Sequence, residues 1–243
     1  MPKELKSEVK TLVVVPAFNE SGNVGRVVQE LLSLPLRLTV LVIDDGSTDA
    51  TAREAGEAGA LVVMLPFNVG IGAAVQTGFK YAFEHNFDIA VQVDGDGQHD
   101  VVYLEKLIDP IRKGTADMVI GSRFMEPFTG YRSSFIRRVG IHFFAGLISF
   151  LTGCRVTDPT SGFRACHRAL FTKFIEEYPH DFPEPEAIMA ARHYGVRLME
   201  VPVQMRKRVK GHSSIRYVRT LYYMVKVTFA ILLSMLKPQG RLS

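Results

Sequence analysis

Residues 11–20 read TLVVVPAFNE, residues 38–49 read LTVLVIDDGSTD and residues 89–100 read IAVQVDGDGQHD. In each, a short β-branched run gives way to a cluster of Pro, Gly, Asn and acidic residues, the pattern of a buried strand that ends in a polar loop. LVVML (Leu61 to Leu65) and DMVIG (Asp117 to Gly121) repeat the strand signal. Between these runs, Val24, Val27, Val28, Leu31 and Leu32 recur at helical spacing, as do Val75, Phe79 and Phe83, then Leu104, Leu107, Ile108 and Ile111. Strands alternating with amphipathic helices predict an α/β fold: a mostly parallel sheet, all five strands buried, with helices on both faces. Ligands of such sheets bind beyond the carboxyl ends of the strands, where the three polar clusters fall.

The wider composition fits one globular unit. The chain has 243 residues, 47% hydrophobic and 22% charged, so disorder, a collagen-like repeat and a disulfide-built mini-protein are excluded. Cys154 and Cys166 have neither zinc-site nor redox-pair spacing, which fits a reducing compartment. The polar start MPKELKSEVK lacks the apolar run of a signal peptide, and a cytoplasmic location is expected.

Charge is unevenly placed. After Glu200 no acidic residue occurs, while nine basic residues do, which leaves 20 basic residues against all 25 acidic ones before that point. Nucleic acid, anionic lipid and a phosphorylated substrate are the candidate partners of such a basic end. Its apolar residues favour lipid. Ile215, Val218, Leu221, Tyr222, Val225, Phe229, Leu232 and Leu236 line one helical face, with Arg216, Arg219, Lys226 and Lys237 beside it. An earlier segment, SSFIRRVGIHFFAGLISFLTG, has the same character behind Arg132, Arg137 and Arg138. Leu221 to Leu236 is sixteen residues with a lysine inside, short of the roughly 20 apolar residues that cross a bilayer. Helices lying on the membrane surface are therefore expected. Burial in the core, or in a seam between two copies of a homo-oligomer, is the alternative.

Asp94-Gly95-Asp96-Gly97-Gln98 closes a strand with two carboxylates and an amide oxygen. These hard donors suit Mg²⁺ or Mn²⁺, and so few protein ligands leave room for phosphate oxygens. Asp45, at the end of the second run, is placed to meet a ribose or a base edge, and Asp49 to cap the next helix. Pro16 fixes the first strand's exit, and Glu20 can cap a helix start. NVGIGAAVQTG (Asn68 to Gly78) offers a glycine-rich helix start that resembles a phosphate cradle, although it matches neither the dinucleotide fingerprint nor the P-loop.

PAFNE, DDGSTD, NVGIG, VDGDGQHD, VIGSRF, DPTSGFRA and RVKGHSS occur in this order from about Thr11 to Ser214. Together they resemble the inverting glycosyltransferases of family 2, in particular the branch of dolichol-phosphate mannose synthase and the bacterial polyprenyl-phosphate glycosyltransferases. The resemblance implies a GT-A fold with a Rossmann-like nucleotide-binding half over residues 11–125, an acceptor half over 126–214 and an interfacial helix and tail over 215–243. It also implies a nucleoside-diphosphate sugar donor held by Pro16, Ala17, Glu20, Asp45, Asp94, Gly95 and Ser213, and a cation held by Asp94, Asp96 and Gln98. Asp96, Arg123, Arg137 and Arg208 would form the catalytic set. The lysine that commonly follows the serine matched by Ser213 is replaced here by Ser214.

A polyprenyl phosphate acceptor needs no protein base, because the second pKa of a phosphate monoester is near 6 and the group is largely dianionic at neutral pH. A sugar hydroxyl needs one. Glu184 and Glu186 in FPEPEAI are the candidates, although the prolines suggest that they shape a turn or hold an arginine. Asp158 and Arg164 are expected to brace the loop below the acceptor, and His99 and His212 to make structural contacts. The expected activity is transfer of one sugar to a polyprenyl phosphate at the cytoplasmic face of the cell membrane. Transfer to a glycan or protein hydroxyl is the enzymatic alternative, and a non-catalytic nucleotide- or nucleic-acid-binding module the remote one.

Overall fold

The computed structural model describes residues 9–125, 135–179, 183–206, 224, 226–231 and 233, with the backbone alone for 135–137. Seven strands are present among them: β1 (Thr11–Ala17), β2 (Leu38–Asp44), β3 (Leu61–Met64), β4 (Ile89–Gln92), β5 (Met118–Ser122), β6 (Arg164–His167) and β7 (Leu198–Pro202). Helices α1 (Val24–Leu32), α2 (Thr51–Glu57), α3 (Ile71–Glu84), α4 (Leu104–Arg112) and α5 (Phe135–Thr152) follow β1 to β5 in turn, and α6 (Arg168–Glu176) and α7 (Pro183–His193) separate β6 from β7. The strands form one sheet in the order β3-β2-β1-β4-β6-β5-β7. Every pairing is parallel except those of β6, which runs antiparallel to both β4 and β5.

The mostly parallel, helix-flanked sheet agrees with the sequence reading. Successive β1 side chains point to opposite faces, so Leu12 and Val14 join one core while Val13 and Val15 join the other. The first core is closed by α3, α5, α6 and α7, the second by α1 and α4. Phe79 of α3 is the centre of an aromatic group, stacked on Phe171 at 6.1 Å between ring centroids and edge-on to Tyr178 at 5.4 Å.

Two expectations are corrected. LVVML is an edge strand and not a buried one: β3 pairs with β2 alone, and Met64 at its end is 68% exposed. The prolines of FPEPEAI do not make a turn but open α7, because a missing N–H costs nothing in a helix's first turn. Glu184 and Glu186 sit there too, where acidic side chains favour the helix dipole.

The two lipid-directed segments are apolar on more than one side. In α5, Ile141, Phe144, Ala145 and Ile148 are buried, Phe144 and Ile148 within the first core, while Val139, Phe143 and Phe150 face outward. In the C-terminal segment, Val227 and Ile231 join that same core, while Phe229 is 63% and Leu233 62% exposed. Core burial thus uses a face other than the one read as apolar from sequence, and leaves Phe229 of that sequence-derived face outside. The rest of that face lies outside the described residues. No helix among the described residues is long and apolar enough to cross a membrane.

Phe79→Ala is expected to lower stability by about 3–5 kcal/mol, as removal of a buried aromatic ring does, measured as a fall in the urea midpoint with the slope unchanged. A loss below about 1 kcal/mol would show that α3 and α6 are not held together by this ring.

Candidate active site

The carboxyl ends of β1, β2 and β4 are joined by backbone hydrogen bonds. Asp45 N–H donates to the Ala17 carbonyl at 2.8 Å, and Gly95 N–H to that of Pro16 at 3.3 Å. Pro16, Ala17, Asp45 and Gly95, far apart in sequence, are therefore brought together beyond the carboxyl ends of these strands. Reciprocal side-chain contacts tie the loops that follow β1 and β2. Asn19 N–H donates to Ser47 Oγ, Asn19 Oδ1 accepts the Thr48 N–H, and Asp49 accepts the N–H groups of Ser21 and Thr51. Asp49 thus serves the start of α2 as read from sequence. Glu20 is buried at the start of α1, where its side chain takes the Asn23 amide and its N–H donates to Thr51 Oγ1.

Asp45 is buried, and its two carboxylate oxygens accept the N–H groups of Val69 and Gly70 at 2.8 and 2.9 Å. This corrects one detail of the phosphate-cradle expectation. The first amides of the Asn68–Gly78 segment are already satisfied by a carboxylate, an internal anion at the start of α3.

Asp94 and Asp96 follow β4. Asp94 Oδ1 accepts from Gln92 Nε2 at 3.2 Å, and the Asp94 N–H donates to His99 Nδ1 at 3.0 Å. That second bond requires a bare Nδ1, so neutral His99 carries its proton on Nε2, 3.6 Å from Asp94 Oδ2. His99 is 2% exposed and stacked on Phe163, the structural role expected of it. Asp96 Oδ1 accepts the Gln98 N–H at 2.9 Å, which fixes the turn between the two candidate ligands. A Cβ on Gly162 would lie 3.0 Å from Asp94 Oδ1 and 3.2 Å from Oδ2, so glycine at this position leaves space at the carboxylate.

The donor set fits Mg²⁺ or Mn²⁺. No group of three or more His, Cys, Asp or Glu side chains suited to a metal occurs among the described residues. Two carboxylates and an amide match a hard cation that takes its remaining ligands from water and phosphate.

Arg123, after β5, is paired with the fully buried Asp158. Its Nε reaches Oδ2 at 2.5 Å and its Nη2 reaches Oδ1 at 2.6 Å and Thr160 Oγ1 at 2.8 Å. Burial works against the Arg123 charge, but Asp158 more than restores it and raises the pKa. The pair fixes the DPTSG loop, and Arg164 braces it again by donating to the carbonyls of Ser161, Pro159 and Glu184. Asp158 and Arg164 thus have the expected bracing role. Burial pushes the Glu184 carboxyl upward in pKa, with Arg164 opposing and Asp94 adding to the rise. Arg208 and Ser213 lie outside the described residues, as does the Arg137 side chain.

Three contributors escaped the sequence reading. Glu200 accepts the N–H groups of Thr157 and Asp158 and the Thr157 hydroxyl, and so holds the DPTSG loop from β7. Its signal is a lone acid in the apolar run LMEVPV. Gln92, polar inside the strand IAVQV, supports Asp94. Glu54 accepts the Gly22 N–H and the Ser21 hydroxyl, from a helix face without any distinguishing pattern.

Residues 12–177 match the profile of glycosyl transferase family 2. The chain belongs to this family. Among family 2 relatives, polyprenol monophosphomannose synthase of Mycolicibacterium smegmatis is 30% identical over 223 residues, 87% of this chain and 83% of that protein. The UDP-N-acetylglucosamine–dolichyl-phosphate N-acetylglucosaminyltransferase of Methanococcus voltae is 29% identical over 211 residues, 79% of this chain and 84% of its own. The crystal structure of glucosyl-3-phosphoglycerate synthase from Mycobacterium tuberculosis, in complex with Mn²⁺, UDP and phosphoglyceric acid, superposes with a TM-score of 0.71 at 23% identity. It covers 94% of this chain and 79% of that one. At that identity it establishes the shared GT-A-like architecture.

The bonds from Gly22 and Ser21 hold the Glu54 pKa below its ordinary 4.5. A lowered carboxylate stabilises the fold above its unfolded pKa and loses that contribution as pH falls through the folded value. Glu54→Gln is therefore expected to be less stable than the parent at neutrality, with the gap closing below about pH 4.5. Urea midpoints from pH 7 to pH 3 check this, and a gap that is constant throughout would contradict it.

Proposed function

We propose that this family 2 glycosyltransferase moves one sugar from a nucleoside-diphosphate sugar to a polyprenyl phosphate, with inversion at the anomeric carbon, on the inner surface of the cell membrane. The observation that carries the reading is the meeting of Asp94, Asp96 and Gln98 with the Pro16, Ala17 and Asp45 cluster, in a chain whose relatives bear the names of polyprenyl- and dolichyl-phosphate sugar transferases. Donors of this class place the nucleoside against Pro16, Ala17, Glu20 and Asp45. A carboxylate has about four acceptor sites, so Asp45 can hold Val69 and Gly70 and still receive a ribose or base donor.

Asp94, Asp96 and Gln98 would hold Mg²⁺ or Mn²⁺, which supplies neutralisation of the departing diphosphate. Arg123 then contributes a fixed positive charge, since Asp158 and Thr160 hold it without reorganisation. Arg137 and Arg208 are assigned to the acceptor phosphate, and Ser213 to the donor. The dianionic acceptor attacks the anomeric carbon from the face opposite the leaving group, so no proton needs to be removed. The exposed faces of α5 and the C-terminal segment are assigned to the membrane. Each inserted side chain contributes about 1.5–3 kcal/mol if fully buried, against about 1 kcal/mol per basic residue near anionic lipid. Insertion therefore anchors, and charge orients.

Glu184 supports a second reading. Its upward-shifted carboxyl, close enough to Asp94 to feel its charge, has the character of a general base for a hydroxyl acceptor. A short-chain polyprenyl phosphate offered with UDP- and GDP-sugars is expected to yield a charged, sugar-bearing lipid, and Glu184→Gln to retain that activity. Transfer to free glycans alone, abolished in Glu184→Gln, would overturn the lipid-phosphate assignment. Asp96→Ala is expected to lose turnover in proportion to lost Mn²⁺ binding, whereas full activity in chelator would overturn the metal assignment. Phe143→Ser with Phe229→Ser is expected to reduce cosedimentation with anionic vesicles while the melting temperature holds, and undiminished binding would reject these faces as the anchor.

A further inference from the structure

The metal-binding loop is gripped from behind by a residue that neither the motifs nor the family assignment mark. Arg206 follows β7, and its N–H donates to the Gln98 carbonyl at 2.8 Å. One residue earlier, Met205 forms an antiparallel bridge with His99. The Arg206 guanidinium then divides between two carboxylates, with Nη2 to Asp100 Oδ1 at 2.7 Å and Nη1 to Glu30 Oε2 on α1 at 2.6 Å. Three consecutive loop residues, Gln98, His99 and Asp100, are thus held by two consecutive residues that lie over a hundred positions later.

The grip has a second half. Glu30 also faces Arg26 at 4.0 Å, and Arg26 Nη2 is buried without a hydrogen-bond partner among the described residues. It packs against Gly97, where a Cβ would stand 2.5 Å away. Both arginines therefore press on the Gly97–Asp100 segment, with Glu30 between them. The Gln98 peptide is fixed from both ends, its N–H by Asp96 and its carbonyl by Arg206.

We propose that Arg206 is a positioning residue for the cation site, setting the Gln98 peptide and the Asp96 turn through its fork to Asp100 and Glu30. This rests on the metal-site reading above. Two features favour positioning over simple stabilisation. The Arg206 side chain is 36% exposed, and ion pairs that open to water add little to stability. Its guanidinium instead ties Asp100, two residues beyond Gln98, to Glu30 of α1, while its main-chain N–H holds the Gln98 carbonyl, and partners one step behind a metal ligand commonly alter metal affinity or activity by about 10–100-fold.

The test is Mn²⁺ binding to the purified chain, read from the EPR signal of free Mn²⁺ in the presence of UDP and, separately, GDP. Arg206→Gln is expected to weaken Mn²⁺ binding at least about tenfold while the melting temperature moves by no more than about 2–4 °C. Arg206→Lys is expected to recover part of the affinity, because an ammonium replaces one arm of the planar fork. If Arg206→Gln does not fold, Glu30→Gln serves instead, with a smaller loss in the same direction. Unchanged Mn²⁺ affinity in a folded variant, with the parent binding normally, overturns the inference and leaves the metal site intact. A parent that binds no Mn²⁺ with either nucleotide overturns the metal site, and this inference with it.

Discussion

Two carboxylates separated by a single residue repel each other, and the site depends on keeping Asp94 and Asp96 together at the end of β4. The backbone supplies part of the restraint. Asp96 accepts the Gln98 N–H, and the Gly95 N–H is fastened to Pro16 of the adjacent strand. Side chains supply the rest. Gln92 donates to Asp94, and the buried ring of His99 accepts the Asp94 N–H while its Nε2 proton lies on the Oδ2 side.

The loops after β5 and before β6 follow another logic. Arg123 and Asp158 form a buried, bidentate ion pair, and Glu200 and Arg164 tie the same loop to β7 and α7. A buried ion pair is weak evidence for stability, because desolvation offsets much of the attraction. Its value here is geometric. The guanidinium is pre-oriented, so it would not need to reorganise when negative charge develops near it. The antiparallel strand β6 makes this arrangement possible, since it carries Arg164 into the sheet between β4 and β5 and sets Gly162 against Asp94.

Sequence and structure agree best where the signal is local. The five β-branched runs became strands because periodicity and the Pro, Gly and Asp clusters after them act within a few residues. The Asp94-Gly95-Asp96-Gly97-Gln98 turn was legible for the same reason. The edge position of β3 was not, because exposure of an edge depends on strand order, which no single run contains. Strand β6 escaped because RACH is four residues long and polar at both ends. Two of the site residues that were missed, Glu200 and Arg206, act on a loop donated by another part of the chain, so their meaning resides in contacts and not in spacing. Gln92 acts on Asp94 only two residues away, but a single polar residue inside a buried strand does not by itself say what it holds.

The same distinction bears on the lipid-directed helices. A helix that is apolar on one face only must choose between core and membrane, which is why the periodicity of residues 215–236 left two readings open. The structure removes that choice for the described part: Val227 and Ile231 fill the core while Phe229 and Leu233 remain outside. Helix α5 does the same with Phe144 and Ile148 inside and Phe143 and Phe150 outside. Among the described residues, core packing thus accounts for one face of each segment and leaves apolar side chains exposed on the other. Exposed aromatic side chains on two segments that share one core have a physical rationale if water is not their only neighbour, and a long-chain phosphate acceptor would arrive from such a phase.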